Sequence, residues 1–513
     1  MRRPLVAPVL LAACLIAAPT RAADAPPPIL VGIEYALPGE ARGFAPLGVP
    51  AVKPLPDQFT WGKMQAGPDR PVDFRVLDRL VREYQQAGFS EIVLGLKSNC
   101  AWGVKDARAN LAPRPQHEAR YAAWVGAIVE RYDGDGRDDM PGLKAPVRWF
   151  EVGVEFSSYE PEPVEDYLRM LALAHGAAKA ANPDAQVLHA AFLTTTVFRD
   201  HPAPEAVEPA YARGDRRILF HPLSSLRAVL DHPELFDALN VHALGDPYEI
   251  EDLARWLRWE TARRHYQKPL VISDTSPSPF IAWGPATVVA GPPGKRGVVV
   301  PPATEADRLR LAAYFRRLLD GDPATVRWVH AFVAEDMAKK VVVAAEQGAR
   351  LLDTSFMEDL EILKARLFHA AAGNSAWGGM VEVKVRPLRD EREVVELRPS
   401  FNAVRQVWSH LKDAAAVRRI ATDDPRVRLY ELSDADGARG WIAWLEPGHL
   451  LLPGDPVPSA VVELQVPGDA MAQAELLITT PGQSEPARRA VRAQGGTFAL
   501  DLTPTPVFVS AGR

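Results

Sequence analysis

Two carboxylates stand at the ends of short apolar runs. Glu155 closes "VRWFEVGVE" and Asp274 closes "PLVISD". His242 ends a third run, "DALNVH", and Trp102 follows a fourth, "EIVLGLK". If such runs are parallel strands alternating with helices, their C-terminal ends share one face and the groups that end them meet there. Two carboxylates on separate strands, with aromatic faces nearby, can cleave a glycosidic bond. One protonates the leaving oxygen, and the other attacks the anomeric carbon or activates water. On that reading Glu155 is the acid/base, Asp274 the nucleophile or base, His242 a partner of a carboxylate or sugar, and Trp102 and Trp283 platforms for a ring. Each residue also has a plainer role. Glu155 can tether a loop, Asp274 can bind the amides of an "SDTS" turn, and His242 and the tryptophans can pack in a core. Glu151 lies inside its strand and reads as structural.

The elements that must position these groups are legible as periodicity. "ILVGIEY", "EIVLGLK", "VRWFEVGVE", "AQVLHAAFL", "FDALNVHAL" and "PLVISDT" read as strands covered on both faces, and "VRWVHAFVA" as the eighth, followed by Glu335 and Asp336. "VDFRVLDRLVREYQQAGF" repeats apolar residues at helical spacing through Phe74, Leu77, Leu80, Val81 and Tyr84. Strand and helix alternating about eight times predict a parallel (β/α)8 barrel, that is, a TIM barrel. A Gly- and Pro-rich stretch, 284–308, follows the seventh strand and reads as a loop over the barrel mouth. Beyond about residue 390 short alternating runs with frequent turn residues take over, the pattern of a β-sandwich. The expected organisation is a signal peptide over 1–22, the barrel over 23–390, a closing helix and connection over 391–412, and an all-β sandwich over 413–513.

Taken together the motifs resemble those of the clan A glycoside hydrolases, which include xylosidases, iduronidases and β-galactosidases. "VRWFEVGVEF" is similar to the strand-four motif Trp-Glu-Ile-x-Asn-Glu, "KPLVISDTS" to the strand-seven motif ending in Thr-Glu, and "DALNVHAL" to the strand-six segment with its histidine. "RPSFNAVRQVWSHL" resembles the closing helix. The resemblance covers most of residues 29–410 and implies a barrel with catalytic carboxylates on strands four and seven. Two departures fall on functional positions. Val154 stands where the family has an Asn that binds the sugar 2-hydroxyl. Asp274 replaces a Glu, withdrawing the carboxylate by roughly 1–1.5 Å where misplacement near 1 Å costs about 100-fold. The resemblance therefore implies either a hydrolase with an altered site or an inactive homologue that binds glycan or scaffolds a cell-envelope assembly.

Composition narrows the rest. The chain has 513 residues, 47% of them apolar, and a formal charge of −6, so it carries no basic footprint for nucleic acid. The N-terminus, "MRRPLVAPVLLAACLIAAPTRAA", has the charged start, apolar stretch and small residues of a secretory signal cleaved after Ala22, which implies a periplasmic or extracellular protein. Lipid anchoring at Cys14 is the lesser alternative. No other segment is long and apolar enough to span a membrane. Once the signal is removed Cys100 is alone, and it reads as a small buried hydrophobe. "DGDGRDD" (133–139) fails as an EF-hand because positions five and twelve would be Arg137 and Lys144, although Asp133, Asp135 and Asp138 leave room for a looser cation site. No His/Cys cluster has metal spacing and no phosphate loop is present, so no metal or cofactor is expected, and the expected partner is a carbohydrate. The sequence does not fix the oligomeric state.

Overall fold

The structure is a computed structural model that describes residues 29–156, 162–214, 219–282, 298–299, 305–359, 373–386, 391–434, 437–465 and 471–511. The leader over 1–22, Trp283 and most of the expected loop over 284–308 lie outside the described residues. Eight parallel strands close a barrel in sequence order: β1 (Leu30–Ala36), β2 (Ala51–Pro54), β3 (Glu91–Leu96), β4 (Trp149–Glu155), β5 (Gln186–Leu193), β6 (Leu239–His242), β7 (Leu270–Thr275) and β8 (Ala349–Thr354). Helices surround it. They include α1 (Arg75–Gln86), α2 (Glu118–Tyr132), α3 (Val164–Ala181), α4 (Leu223–Leu230), α5 (Glu249–Ala262), α6 (Glu305–Leu319) and α7 (Pro323–Glu346). As the helical spacing predicts, α1 buries Leu77, Leu80, Val81 and Tyr84.

One expectation fails. "VRWVHAFVA" is not the eighth strand but the middle of α7, and "ARLLDT" is β8. The helix starts at a strong signal: Asp322 accepts from the Thr325 amide at 2.8 Å and Pro323 occupies the first turn. From Val329 to Ala345 it is buried on most sides, so no polar stripe marks its period and its apolar density imitates a strand. Glu335 and Asp336 therefore ride on a helix. Asp336 accepts from the Ser278 amide and hydroxyl at 2.9 and 2.6 Å, and Glu335 accepts from the Thr505 hydroxyl at 2.5 Å. The stretch expected as loop also ends early, because α6 begins at Glu305.

The barrel interior is layered. Leu30, Ala51, Val93, Trp149, Leu188, Ala238, Val271 and Leu351 form a closed apolar cluster, one residue from each strand or its approach. Side chains two residues on share the same face of a strand. There the interior turns polar, with Lys53, Glu151, Asn240, Ser273 and Asp353, and Gly32 beside the last. An oily floor thus carries a charged storey, and the strand ends lie above both.

After the barrel, α8 (Pro399–Leu411) packs along α7. The C-terminal region is antiparallel, as expected of a sandwich. Six strands, Ala416–Ile420, Val427–Asp434, Gly437–Leu445, Met471–Leu476, Arg488–Arg492 and Val507–Ala511, form one sheet, and Ala460–Gln465 pairs with Thr497–Leu502 in a second. Alternate residues of the large sheet face opposite ways. Val427, Leu429, Trp441, Ala443 and Leu445 join the core against the small sheet. Tyr430, Leu432, Ile442 and Trp444 join the core that includes the barrel helices.

Gly32 gives a test of the layered interior. A Cβ there would lie 2.0 Å from Asp353 Oδ1 and 2.8 Å from Ala51 Cβ. Gly32→Ala is expected to destabilise the protein by about 1–3 kcal/mol through overpacking. Adding Asp353→Ala should return part of that loss, measured as a double-mutant cycle in urea unfolding.

Candidate active site

The charged storey is a single network. Lys53 Nζ lies 2.8 Å from Glu34 Oε1 and 2.6 Å from Glu151 Oε2, and it donates to the Ser273 carbonyl at 3.1 Å. Glu151 Oε1 accepts from Asn240 Nδ2 at 2.7 Å and from Ser273 Oγ at 3.1 Å. The Asn240 amide N–H in turn donates to His189 Nε2 at 3.1 Å, so the His189 Nδ1–H faces the Ala190 carbonyl at 2.7 Å. Burial holds His189 down at about 4, in its neutral form. Burial alone would raise the Glu151 carboxyl, but Lys53 and His242 overcome it and hold it at about 2. Burial likewise opposes the Lys53 charge, and Glu151 and Glu34 reverse that, raising the ammonium above its usual range. Glu34 and Asp353 go the other way. Burial first, then the charge of Asp274 for Glu34 and those of Glu151 and Asp274 for Asp353, push both carboxyls well up. Neither oxygen of Asp353 has a hydrogen-bond partner among the described residues.

Above this network the strand ends are irregular, and the irregularities aim the site. β4 fits one extra residue between Val152 and Glu155 relative to β5, with Gly153 at φ +97°. β7 fits one extra residue before Asp274 relative to β6, and β1 one extra residue at Tyr35 relative to β2. Bulges at barrel rims redirect side chains in this way. Glu155, His242 and Asp274 converge there, one donor atom of each within 4.8 Å of the others. His242 Nδ1 is 2.7 Å from Glu155 Oε1 and 3.9 Å from Asp274 Oδ2. Its Nε2–H donates to Ser273 Oγ at 3.1 Å, which passes the chain on to Glu151. Burial disfavours charge on His242, but Glu151 and Glu155 reverse it and push the imidazole up to about 10. Glu155 Oε2 and Asp274 Oδ1 have no hydrogen-bond partner among the described residues.

Glu155, Asp274 and His242 are thus brought together. Val154 precedes Glu155 on β4 and is half-buried. Trp102 belongs to a different cluster, edge-on to Trp61 at 4.6 Å and to His117 at 5.2 Å, with its Nε1–H on the Gln65 carbonyl. Cys100 is buried and unpaired in a disulfide sense. In the 133–139 loop the carboxylates serve backbone amides: Asp133 accepts from Asp135, and Asp139 from Gly134 and Gly136. Sequence reasoning missed Tyr35, whose hydroxyl donates to Asp274 Oδ2 at 3.3 Å from a left-handed backbone position, φ +63°. It also missed Lys53, Glu34, Asn240, Ser273 and Asp353. Their signal was a polar residue every second position inside a buried strand.

Solved structures of similar fold are glycoside hydrolases. They include a family 39 glycoside hydrolase from the gut symbiont Bacteroides cellulosilyticus WH2 (TM-score 0.57, 12% identity, 95% of this chain and 81% of that one). A glucosidase from Croceicoccus marinus matches at TM-score 0.52 and 12% identity over 96% of this chain and 97% of that one. A monomeric β-xylosidase from Caulobacter crescentus CB15 matches at 0.52 and 13%, over 95% and 97%. No protein-family model and no curated protein matches the sequence. At these identities the likeness is one of fold: the closed eight-stranded parallel barrel with an antiparallel C-terminal region.

Two measurements test the electrostatics. Because the folded His242 titrates near 10 against an ordinary 6.5, its contribution is fully present below pH 6.5 and is lost as pH rises towards 10. Wild type should therefore lose unfolding free energy over that window, by at most about 1.4 kcal/mol per pH unit from this group, relative to His242→Asn. Lys53→Met leaves Glu151 buried without its cation and should cost about 3–5 kcal/mol at pH 7. Glu151 is depressed to about 2, so its stabilisation holds above the ordinary carboxylate range and is lost as pH falls through about 2. Urea titrations at several pH values read both effects.

Proposed function

We propose that this chain is an exported glycoside hydrolase that cleaves O-glycosidic bonds with retention, using Glu155 as acid/base and Asp274 as nucleophile. The observation that carries the reading is the meeting of the two carboxylates from β4 and β7, an oxygen of each within 4.8 Å, each also presenting an oxygen with no partner among the described residues. Retaining pairs stand about 5–5.5 Å apart, and inverting pairs leave about 6.5–9.5 Å for a water. The short gap here suits direct attack. Asp274 Oδ2 is held by Tyr35, which leaves Oδ1 to bond the anomeric carbon as the glycosidic C–O bond breaks. The leaving oxygen takes its proton from Glu155, which shares one with His242 Nδ1. In the second step Glu155 accepts a proton from water, the water oxygen bonds the anomeric carbon, and Asp274 is released. The glucosidase and β-xylosidase among the similar folds support a glycoside substrate without naming the sugar. The leader sequence supports export.

A second reading, a non-catalytic glycan binder or envelope scaffold, draws on specific residues. Val154 offers no amide to a sugar, Asp274 is one methylene short of Glu, and the His242 imidazolium sits on the carboxylate that must act as acid.

The two readings diverge in one experiment. With a panel of dinitrophenyl glycosides, whose leaving group needs no acid, Glu155→Gln should accumulate a glycosyl adduct on Asp274, seen as added mass on the intact protein. Asp274→Asn should show none. Wild type should turn the same substrate over. If no substrate is turned over and no adduct forms while the protein still binds glycan, the binder stands and the hydrolase does not.

Restoring the missing groups gives a further check. Val154→Asn with Asp274→Glu should raise kcat/KM on an aryl glycoside more than the two single changes multiplied, since both act on one transition state.

A further inference from the structure

The meeting point of Glu155, His242 and Asp274 has a second chemistry. The three side chains are 5%, 1% and 3% exposed, and one donor atom from each lies within 4.8 Å of the other two. Each of these carboxylates also has one buried oxygen, Glu155 Oε2 and Asp274 Oδ1, with no hydrogen-bond partner among the described residues. One imidazole nitrogen and two carboxylates make the three-ligand donor set of a zinc site. Imidazole disfavours Mg²⁺ and Ca²⁺, which take oxygen ligands.

We propose that Glu155, His242 Nδ1 and Asp274 bind a divalent transition-metal ion of the zinc type, and that this ion, by occupying both working carboxylates, switches the hydrolytic site off. Metal uptake stands on the donor geometry alone, while the switching rests on the hydrolase reading above.

Zinc bonds of about 2.0–2.2 Å place tetrahedral donors roughly 3.3–3.5 Å apart. His242 Nδ1 now stands 2.7 Å from Glu155 Oε1 and 3.9 Å from Asp274 Oδ2, so the side chains need to move by less than about 1 Å. The surroundings already fix which nitrogen binds. Nε2 is committed to Ser273 Oγ, and Ser273 to Glu151, an outer chain of the kind that orients a metal-bound histidine. Tyr35 steadies Asp274 from the other side. Lys53, in the storey below, is engaged by Glu151 at 2.6 Å. The proton now between His242 and Glu155 leaves to solvent when the ion enters. Sequence spacing gave no hint of this site because the ligands come from three strands, with Glu155 and His242 87 positions apart.

The test uses the whole chain, stripped with chelator and titrated with ZnCl₂ in a calorimeter at pH 7.5, with retained zinc counted after dialysis. One ion per chain is expected. Ser273→Ala should weaken binding by about 10- to 100-fold, as loss of an outer-shell partner does, and His242→Asn should weaken it further. Asp139→Asn, in the exposed acidic loop, should leave it unchanged. No retained zinc, or retention equal in His242→Asn and lost in Asp139→Asn, overturns the proposal. If His242→Asn does not fold, Co²⁺ in wild type decides: an intense four- or five-coordinate visible spectrum supports the site, and the weak spectrum of the hydrated ion overturns it. Hydrolysis is read separately. Zinc bound without any hydrolysis refutes the hydrolase and keeps the metal site, whereas hydrolysis indifferent to zinc refutes the switch.

Discussion

Everything at the mouth of this barrel leans on one buried ion pair, Lys53 with Glu151. A charge placed in a barrel interior is tolerable only when its partners satisfy it completely. Here they do. The three Lys53 donors meet Glu34, Glu151 and the Ser273 carbonyl, and Glu151 accepts from Lys53, Asn240 and the Ser273 hydroxyl. The pair therefore ties β1, β2, β4, β6 and β7 at one height. Ser273, held from below, is turned so that its oxygen receives His242, and His242 so that its other nitrogen receives Glu155. The position of the outermost carboxylate is thus inherited through three bonded side chains from a lysine in the layer below. Low local dielectric strengthens such a chain and penalises any gap in it.

The charge balance also explains why two acids in the same interior are treated differently. Glu151 has a cation on each side and stays ionised. Glu34 and Asp353, with the same burial and less compensation, are pushed up towards their neutral forms. The storey thereby avoids a build-up of like charge. The strain is placed at the rim above it. Tyr35 on β1 and Phe356, two residues beyond the end of β8, both hold positive φ and stack their rings 6.1 Å apart. Strained backbone of this kind collects where a side chain must point against the run of its strand.

Much of this was legible in the sequence, and the failures have physical causes. The barrel, the C-terminal antiparallel region and the convergence of Glu155, His242 and Asp274 follow from strand runs that end in polar residues. The eighth strand was misplaced because α7 is buried nearly all round, and a helix without a polar face shows no period. The inner network went unread because Glu34, Lys53 and Asp353 each look like a lone polar residue in an apolar run. Only the closed barrel makes them neighbours. Tyr35 was invisible for another reason: its reach to Asp274 depends on a bulge and a left-handed backbone, neither of which a tyrosine announces. Its type and its place after β3 make Trp102 look like a sugar platform, but its ring is engaged by Trp61 and His117, contacts that only the fold reveals.

The seam between barrel and sandwich has its own logic. Glu446 receives the Tyr248 hydroxyl at 2.6 Å and the Trp444 indole at 2.7 Å, with Lys339 at 3.2 Å, so one carboxylate gathers groups from α5's approach, from α7 and from the large sheet. The same sheet presents one face to the barrel helices and the other to its small partner. Such a sheet has no solvent-ready side to fall back on. Cutting the chain between the two regions would bare an apolar surface on each half, so the pair should unfold as one cooperative body, and a fragment ending at the barrel should aggregate.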